Sequence, residues 1–362
     1  MKHTLAVLFL LGISAAASAA DIRGDLYGDF RMSLMQFDDN ATAASDLDLG
    51  DNGSAYGIKL SVTERGLTAF GKYERALDTD DGLNAATGFG TSTTGLATGG
   101  TDYVREAYAG LKCPGLGTLL FGQAETAYSS ASHRWDPFYN TGLAGIGGLV
   151  GSTSIVGVGP SHGGSVLAVP VRTLGYINNT VAYTSPSFGG FSVNGALYLD
   201  EDGGGAEDHD TAIGGEFNGM GLTVGLQALD LNSGSSPGSA APNFALSSVQ
   251  ARLAYAGFST GLFGVGATYE RLEGSGLGST ADSLHLTGWF GLTPNARVAA
   301  SFGDTNNVAE GRSLGLGLFY DVVQNFTAYL GGRTFDGKGS GGGDAYAVAL
   351  GGTYKFDFGF TH

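Results

Sequence analysis

The sequence lacks the features by which soluble enzymes and helical membrane proteins are usually recognised. Its single cysteine, Cys113, cannot form an internal disulfide bond. Only 14% of the residues are charged, against roughly 25% in ordinary soluble domains. After the N-terminal segment, no run approaches the roughly 18 consecutive apolar residues of a transmembrane helix. We therefore expect neither a disulfide scaffold nor a helical membrane span.

Basic residues are also scarce, since 18 Lys and Arg face 34 Asp and Glu. This balance argues against nucleic-acid binding, and no basic stripe is present. Neither the spacing of a zinc site nor a P-loop occurs. The close pairings of histidine with serine or aspartate, at Ser161-His162 and Asp208-His209-Asp210, lie in loops and have no supporting motif. We expect no enzyme, no catalytic residue, no metal and no cofactor.

The first twenty residues predict a secretory signal peptide. Lys2 precedes an apolar core from Thr4 to Ile13, and Ser18-Ala19-Ala20 places small residues at the cleavage positions. The mature chain would begin near Asp21 with a net charge of −17, from 17 Lys and Arg against 34 Asp and Glu.

Apolar and polar residues alternate strictly at the start of the mature chain. From Ile22 to Leu34 the even positions are apolar or glycine, and the odd positions are Arg, Asp, Tyr or Ser. This pattern predicts a strand with one apolar and one polar face, near the length needed to cross a bilayer. The same alternation of apolar and polar residues recurs in about sixteen segments. They lie near 21–37, 54–63, 67–77, 102–112, 117–124, 176–186, 190–200, 210–218, 221–231, 247–256, 258–272, 281–291, 296–304, 312–321, 325–336 and 344–356.

The connections between these segments alternate in length. Tight links such as Glu64-Arg65-Gly66 and Pro294-Asn295 alternate with long polar loops such as 38–53, 78–101 and 232–246. Short turns at one end and long loops at the other are typical of bacterial transmembrane barrels. Closure is required because an open sheet edge cannot be hydrogen-bonded in hydrocarbon. We predict an all-β fold, a transmembrane antiparallel β-barrel of about 16 strands, formed by residues 21–362 as one domain.

The longest interruption, 123–176, is not a charge-rich linker. It contains Trp135, Phe138 and Tyr139, which need a place to be buried. Compact domains rarely tolerate a structureless loop of this length unless it is functional or disordered. We predict that this third long loop folds into the lumen of the barrel and narrows it.

Candidate pore-lining charges lie on the polar faces of strands or on this loop. Arg31, Lys59 and Lys72 are on the first three strands, and Glu125 and Asp136 are on the loop. Opposed acidic and basic rows would create a transverse field that discriminates between solutes. The acidic total predicts a mild cation preference.

Two further interpretations concern charges of the loops. Arg134 could pair with Asp136 to hold the inserted loop. Acidic runs such as Asp46–Asp51 are solvated loop acids or, alternatively, bridge Ca²⁺ to lipopolysaccharide.

Several segments resemble the trimeric general porins of Gram-negative outer membranes. Leu26-Tyr27-Gly28 is similar to the first-strand motif of that family, and Gly57-Ile58-Lys59 with Thr63–Glu74 to its second and third strands. Arg105–Lys112 followed by Gly117–Gln123 resembles the strand pair leading into the constriction loop, and Asn178–Phe191 the segment after it.

The resemblance implies a homotrimer in the outer membrane, in contact with lipopolysaccharide, for passive diffusion of small hydrophilic solutes and ions. It also implies that the third loop meets a basic cluster on the opposite wall. Arg105 matches a constriction arginine of the family, and Arg172 lies near another basic site. Val104 and Tyr108, of opposite parity to Arg105, are expected to face lipid or a neighbouring subunit.

Two alternatives remain open. A substrate-specific channel for a sugar or an anion could use a run of aromatic residues, which Trp135, Phe138 and Tyr139 could begin. Its conductance would saturate and be blocked by the solute, whereas that of a general porin would be linear. An outer-membrane barrel enzyme is the other alternative.

Overall fold

The structure is a computed structural model. It describes residues 21–38, 47–77, 104–139, 141–143, 176–199, 210–231, 249–274, 280–306, 311–337 and 344–361. The predicted signal peptide lies outside these residues, as do Arg172, His162 and His209.

The described residues form strands and one short helix. In chain order they are β1 (Asp21–Asp38), β2 (Leu47–Asp51), β3 (Ala55–Glu64), β4 (Leu67–Ala76), β5 (Val104–Cys113), β6 (Gly117–Glu125), α1 (Ala127–Ser132), β7 (Tyr176–Thr184), β8 (Phe191–Tyr198), β9 (Asp210–Gly219), β10 (Leu222–Leu231), β11 (Val249–Ser259), β12 (Phe263–Gly274), β13 (Ala281–Thr293), β14 (Ala296–Asn306), β15 (Gly311–Val323), β16 (Phe326–Gly337) and β17 (Asp344–Thr361).

The strands form one closed antiparallel barrel. Each strand from β3 to β17 pairs with the next, and β17 closes the barrel on β1 from Arg23↔Thr361 to Asp38↔Tyr346. Closure pairs the backbone groups that an open edge would leave exposed to lipid. The N-terminal part of β1, Asp21–Asp29, pairs with β3 and is called its lower part. The following part, Met32–Gln36, pairs with β2 and is called its upper part.

The segments β2 and β3 therefore act as one interrupted strand of the barrel wall. Counted this way the barrel has sixteen strands, which confirms the predicted fold class. The sequence pattern nevertheless missed β2, because its five residues fall inside the predicted loop 38–53. Pairing with the upper part of β1 holds them in the wall.

Alternation along the strands separates two faces of the wall. On β15 the burial pattern alternates strictly from Gly311 to Tyr320, and between the exposed Arg312 and Tyr320 the exposed positions are Leu314, Leu316 and Leu318. Leu26 and Leu34 are likewise exposed on β1, while Ser33 between them is buried. An apolar outer band with a polar interior is the pattern of a barrel in a bilayer. Among the described residues, no helix has the length and apolarity that crossing a membrane would require.

Tight turns occur at two of the predicted links, Arg65–Gly66 and Pro294–Asn295. The link predicted at Ala256–Gly257 is wrong, because these residues lie within β11 and the chain turns after Ser259. Arg65 and Gly66, between β3 and β4, have φ values of 51° and 82°. Two consecutive positive φ values define a type I′ turn, which matches the twist of a hairpin. Gly66 is favoured here because its backbone conformation is strained for other residues.

The described part of the long loop, residues 126–139 and 141–143, lies inside the barrel and is called the inward segment below. Thr126 caps α1 by accepting the backbone N–H of Ser129 on Oγ1 at 3.0 Å. Tyr128, Phe138 and Leu143 are fully buried against the wall. For this described part of the third long loop, the prediction that it folds into the lumen is confirmed.

Candidate pore constriction

Four charged side chains of β4 and β5 form a compact group on the inner wall, called the wall cluster below. Lys72 Nζ lies 3.0 Å from both Glu74 Oε2 and Glu106 Oε1. Arg105 Nε lies 3.3 Å from Glu74 Oε1. Tyr27 on β1 donates a hydrogen bond of 2.6 Å to Glu74 Oε2. Two cations and two carboxylates thus compensate each other on one patch of wall.

A β-bulge turns Arg105 toward the lumen. Glu74 pairs with Glu106, but Arg75 pairs with Val104, so Arg105 has no partner in the register. A bulged residue can leave the strict alternation of faces, so Arg105 and Glu106 both line the lumen. The expected outward position of Tyr108 is wrong. Its register partner is Lys72, and its ring packs edge-on against Phe70.

The break between β2 and β3 supplies an acceptor for two arginines. Asp51 Oδ1 accepts the backbone N–H groups of Gly53, at 2.6 Å, and Ser54, at 2.8 Å. The Gly53 carbonyl then accepts hydrogen bonds from Arg31, at 3.5 Å, and Arg105, at 3.3 Å. Asp51 is buried, so its assignment to a run of solvated or calcium-bridging loop acids is wrong. It shapes the backbone that orients the arginines.

The loop side of the site starts where β6 ends. Glu125 Oε1 lies 2.9 Å from His133 Nε2 and accepts a hydrogen bond of 3.1 Å from Ser129 Oγ. The His133 ring stacks on Tyr139 with centroids 3.6 Å apart. Arg105 donates a hydrogen bond to the Tyr176 hydroxyl, at the start of β7. Loop and wall therefore meet through hydrogen-bonded, charged and aromatic groups.

These groups surround one cavity of about 410 Å³ between the wall and the inward segment. Five of the seven charged residues proposed from the sequence line it, namely Arg31, Lys59, Lys72, Arg105 and Glu125. Lys59 Nζ lies 4.5 Å from the centroid of the Tyr27 ring. Arg172 lies outside the described residues.

Asp136 is the predicted site residue that the structure places elsewhere. Its Oδ1 accepts the backbone N–H of Phe138 at 2.9 Å, and its charge acts on the buried Arg333 and His285. Arg134 does not pair with Asp136 but with Glu216 on β9, which also accepts a hydrogen bond of 2.6 Å from Tyr255. Arg134 therefore attaches the loop to the wall, whereas Asp136 shapes the loop itself and attracts Arg333 electrostatically.

Sequence reasoning left Glu106, Tyr176 and Lys355 out of the site. Glu106 was missed because the expected parity of β5 placed it on the outer face. Lys355 pairs in register with Asp29 across the closure of the barrel, a contact that depends on the two chain ends meeting. The alternation along β17, which leaves Val348 and Leu350 exposed and Ala349 buried, was a usable signal for Lys355.

Substitution of Lys72 tests the balance of the wall cluster. In the Lys72→Met variant, Glu74 and Glu106 face each other as register partners without the ammonium group between them. Because both keep some contact with lumenal water, we expect a loss of about 2 kcal/mol of stability, below the cost of a fully buried broken pair. The urea dependence of the folded fraction in lipid vesicles, followed by electrophoretic mobility, measures it.

Two controls accompany this variant. Adding Glu106→Gln should recover part of the loss, and Lys112→Met, at an exposed position of the same β5 strand, should leave the midpoint unchanged. An equal loss in the single and the double variant would contradict the arrangement.

The Trp135 ring lies in a slot made by two glycines. Gly257 on β11 and Gly266 on β12 are register partners, and a Cβ at either position would overlap Trp135. Tyr128 next to it donates a hydrogen bond of 2.7 Å to Glu270 on β12. Burial, together with the Glu270 carboxylate, raises the pKa of Tyr128 well above its ordinary value, so the hydroxyl stays a donor. The inward segment is thus fitted to this part of the wall.

The Gly266→Ala substitution should displace Trp135 and cost about 1–3 kcal/mol by overpacking. Of the two tryptophans, only Trp135 remains in a Trp289→Phe background, so its fluorescence emission should shift to longer wavelength. Gly288→Ala is the matched control, because a Cβ there would meet its nearest atoms at 3.5 and 3.7 Å. An emission spectrum unchanged by Gly266→Ala would contradict the glycine slot.

Comparison with known proteins agrees with the barrel fold. A family model of Gram-negative porins matches residues 4–359. The chain belongs to the Gram-negative porin family. Family membership and the barrel together make this porin an outer-membrane channel. No curated protein matches the sequence significantly.

Solved porins and outer-membrane proteins superpose on this porin along nearly its whole length. The anion-selective porin from Comamonas acidovorans is 17% identical, with a TM-score of 0.69 and coverage of 92% of this chain and 100% of that one. OmpF of Salmonella typhi in complex with daunomycin is 15% identical, with a TM-score of 0.60 and coverage of 93% of this chain and 97% of that one. OmpT of Vibrio cholerae in its trimer form is 17% identical, with a TM-score of 0.60 and coverage of 94% of this chain and 100% of that one. At these identities the likeness establishes the fold.

Proposed function

We propose that this porin is a general diffusion channel for small hydrophilic solutes and ions, with its constriction at the cavity between the wall cluster and the inward segment. The observation that carries the proposal is the meeting of Arg31, Lys59, Lys72 and Arg105 with Glu125 around one cavity. A sixteen-stranded barrel encloses an aqueous lumen, so the solutes that pass are selected by the width and charge of its narrowest part.

A balanced cavity within an acidic chain supports weak cation selectivity. Its lining contains five basic residues, Arg31, Lys59, Lys72, Arg105 and Lys355, and five acidic residues, Asp29, Glu74, Glu106, Glu125 and Asp357. Local charge is therefore close to balanced, while the chain as a whole carries a net charge of −16. The Comamonas acidovorans porin is anion-selective, but its 17% identity carries over the fold and not the lining charges.

Discrimination between solutes follows from the field across the cavity. Lys59, which is not part of the compensated wall cluster, stands on the wall, and Glu125 stands on the side of the loop. A dipolar solute aligns with such a field, whereas a bulky apolar solute loses its water without compensation. This mechanism needs no saturable binding step.

The aromatic residues of the loop disfavour a sugar-specific channel. Phe138 is fully buried, and Trp135 lies in the glycine slot of β11 and β12. Of the three aromatic residues considered, Tyr139 is the one that lines the cavity, so they form no continuous path for a sugar within the described residues.

We also propose that the porin is a homotrimer in the outer membrane, in contact with lipopolysaccharide. OmpT of Vibrio cholerae, which superposes along 94% of this chain, has a trimer form. The long loops carry acidic runs that could bridge divalent cations to lipopolysaccharide phosphates.

Liposome swelling distinguishes a general channel from a substrate-specific one. The purified mature protein should admit neutral sugars at rates that fall smoothly with solute size, without competition between sugars. One sugar entering out of size order, and blocked by an excess of itself, would show a specific channel instead.

A further inference from the structure

A single arginine on β16, which is separated from β4 along the wall by β17, β1 and β3, holds the end of the inward segment. Arg333 on β16 is 1% exposed. Its Nε donates a hydrogen bond of 2.7 Å to the backbone carbonyl of Leu143. Nη1 and Nη2 donate to Ser313, at 3.2 Å, and Ser301, at 2.8 Å. One guanidinium therefore joins the loop to three neighbouring strands.

The wall has a gap into which this side chain fits. Gly315 on β15 is the register partner of Arg333, and a Cβ there would lie 2.8 Å from Ser301 Oγ and 3.0 Å from Arg333 Nη2. Without a side chain at 315, the guanidinium can cross β15 and reach Ser301 on β14. The Phe138 ring covers it, with 5.5 Å between Arg333 Cζ and the ring centroid.

The charge of Arg333 makes this contact demanding. Within the described residues, no carboxylate oxygen lies within ion-pair distance of Arg333, and its three hydrogen-bond acceptors are neutral oxygens. Asp136 on the loop supplies a compensating electrostatic attraction. A buried cation that loses an acceptor loses much more than a neutral donor does, so displacing the loop is strongly opposed.

A second contact fixes the same end of the loop. The backbone N–H of Gly142 donates a hydrogen bond of 2.9 Å to the Tyr329 hydroxyl on β16. An ideal Cβ on Gly142 would lie 3.1 Å from Ser33 Cβ on β1, so the loop covers the buried Ser33. Ser33 can therefore report whether the loop is in place.

We propose that Arg333 is a positioning residue that fixes the inward segment against β14–β16 and thereby sets the width of the constriction. The effect on width rests on the proposed function, whereas the effect on loop position does not. The role needs the planar, branched guanidinium, because Lys carries its three donors on one nitrogen and cannot reach Leu143, Ser301 and Ser313 together.

The test measures loop position by thiol modification. In a Cys113→Ser background, a Ser33→Cys reporter is treated with a water-soluble methanethiosulfonate in the folded protein. We expect Arg333→Met to raise the modification rate on the order of tenfold, which corresponds to about 1.4 kcal/mol, and Arg333→Lys to raise it less. Arg271→Met, at an exposed position of β12, is the control and should leave the rate unchanged. Equal rates with Arg333 and Arg333→Met would overturn the proposal.

A milder variant covers the case in which Arg333→Met does not reach the folded, heat-modifiable form. The double variant Ser301→Ala/Ser313→Ala keeps the arginine and removes two of its acceptors, and should also raise the rate several-fold. An unchanged rate in this double variant would likewise overturn the proposal.

Conductance separates this proposal from the proposed function. A disulfide between Gly142→Cys and Ser33→Cys, whose Cβ atoms would lie within a few tenths of an ångström of disulfide geometry, should restore wild-type conductance to Arg333→Met. A raised modification rate with unchanged conductance would show that Arg333 fixes the inward segment, but would refute the claim that this segment sets the width of the pore. Altered conductance that the disulfide does not restore would refute the claim that Arg333 acts by fixing the inward segment.

Discussion

Deletion of residues 140–168 should raise single-channel conductance roughly twofold, since conductance follows the narrowest cross-section of the pore. The deletion removes the contacts of Gly142 with Tyr329 and of Leu143 with Arg333, which hold the inward segment across the lumen. The wall should still assemble, because β6 and β7 pair directly with each other from Thr118↔Thr184 to Glu125↔Tyr176.

The matched control is a deletion within another predicted long loop, residues 234–244 between β10 and β11. It should leave conductance near the wild-type value, while both proteins keep the mobility of a folded barrel on unheated gels. Unchanged conductance after deletion of 140–168 would contradict the placement of the loop in the conducting path.

Replacement of Arg105 should change ion selectivity more than any other single substitution in the wall cluster. Arg105→Ala removes a charge that the β-bulge turns into the lumen, while Glu74 keeps Lys72 at 3.0 Å and the Tyr27 hydroxyl at 2.6 Å. The cavity then has one more acidic than basic residue, so cations should be favoured. In a tenfold KCl gradient we expect the reversal potential to move toward the cation limit by roughly 10 mV, out of about 59 mV for perfect selectivity.

Arg105→Lys separates charge from geometry in the same experiment. Lysine keeps the positive charge but cannot reproduce the hydrogen bonds to Gly53 and Tyr176 together. Because the positive charge is retained, this variant should have selectivity close to wild type. A reversal potential that moves equally in Arg105→Ala and Arg105→Lys would mean that pore shape, and not the charge of Arg105, sets the selectivity.

Strand alternation was sufficient to predict most of the wall. The odd positions of β1 place Arg31 and Tyr27 on the inner face, and the same reasoning placed Lys59 and Lys72 there. This succeeds because a barrel wall between lipid and water imposes a period of two on every strand. The long apolar loop was likewise predictable, since Phe138 and Trp135 need burial that only the lumen could offer.

The period of two fails where the backbone departs from it. Arg105 and Glu106 are neighbours, yet both line the cavity, because a bulge at Arg105 shifts the register of β5. The short β2 strand breaks before β3, and Asp51 shapes that break. A single extra residue changes the face of every residue beyond it, and sequence alternation alone does not locate it.

The contacts by which Arg333 fixes the inward segment could not be predicted from the sequence, for a different reason. Its partners Leu143, Ser301 and Ser313 are distant in sequence from Arg333 and from one another. The pairing of β14, β15 and β16 brings them together, with Gly315 leaving the space between them. From the sequence, Arg333 could only be assigned to the inner face of its strand, like any solvated lumenal charge.

Our proposal requires that this chain forms an open, water-filled channel that its own loop narrows. Planar-bilayer recording of the refolded mature protein tests this claim most directly. We expect large ohmic conductance steps that close in groups of three, with a small reversal potential on the cation-selective side in a KCl gradient. Absent or very small conductance from protein with the mobility of a folded barrel would contradict it, since the loop would then plug the lumen.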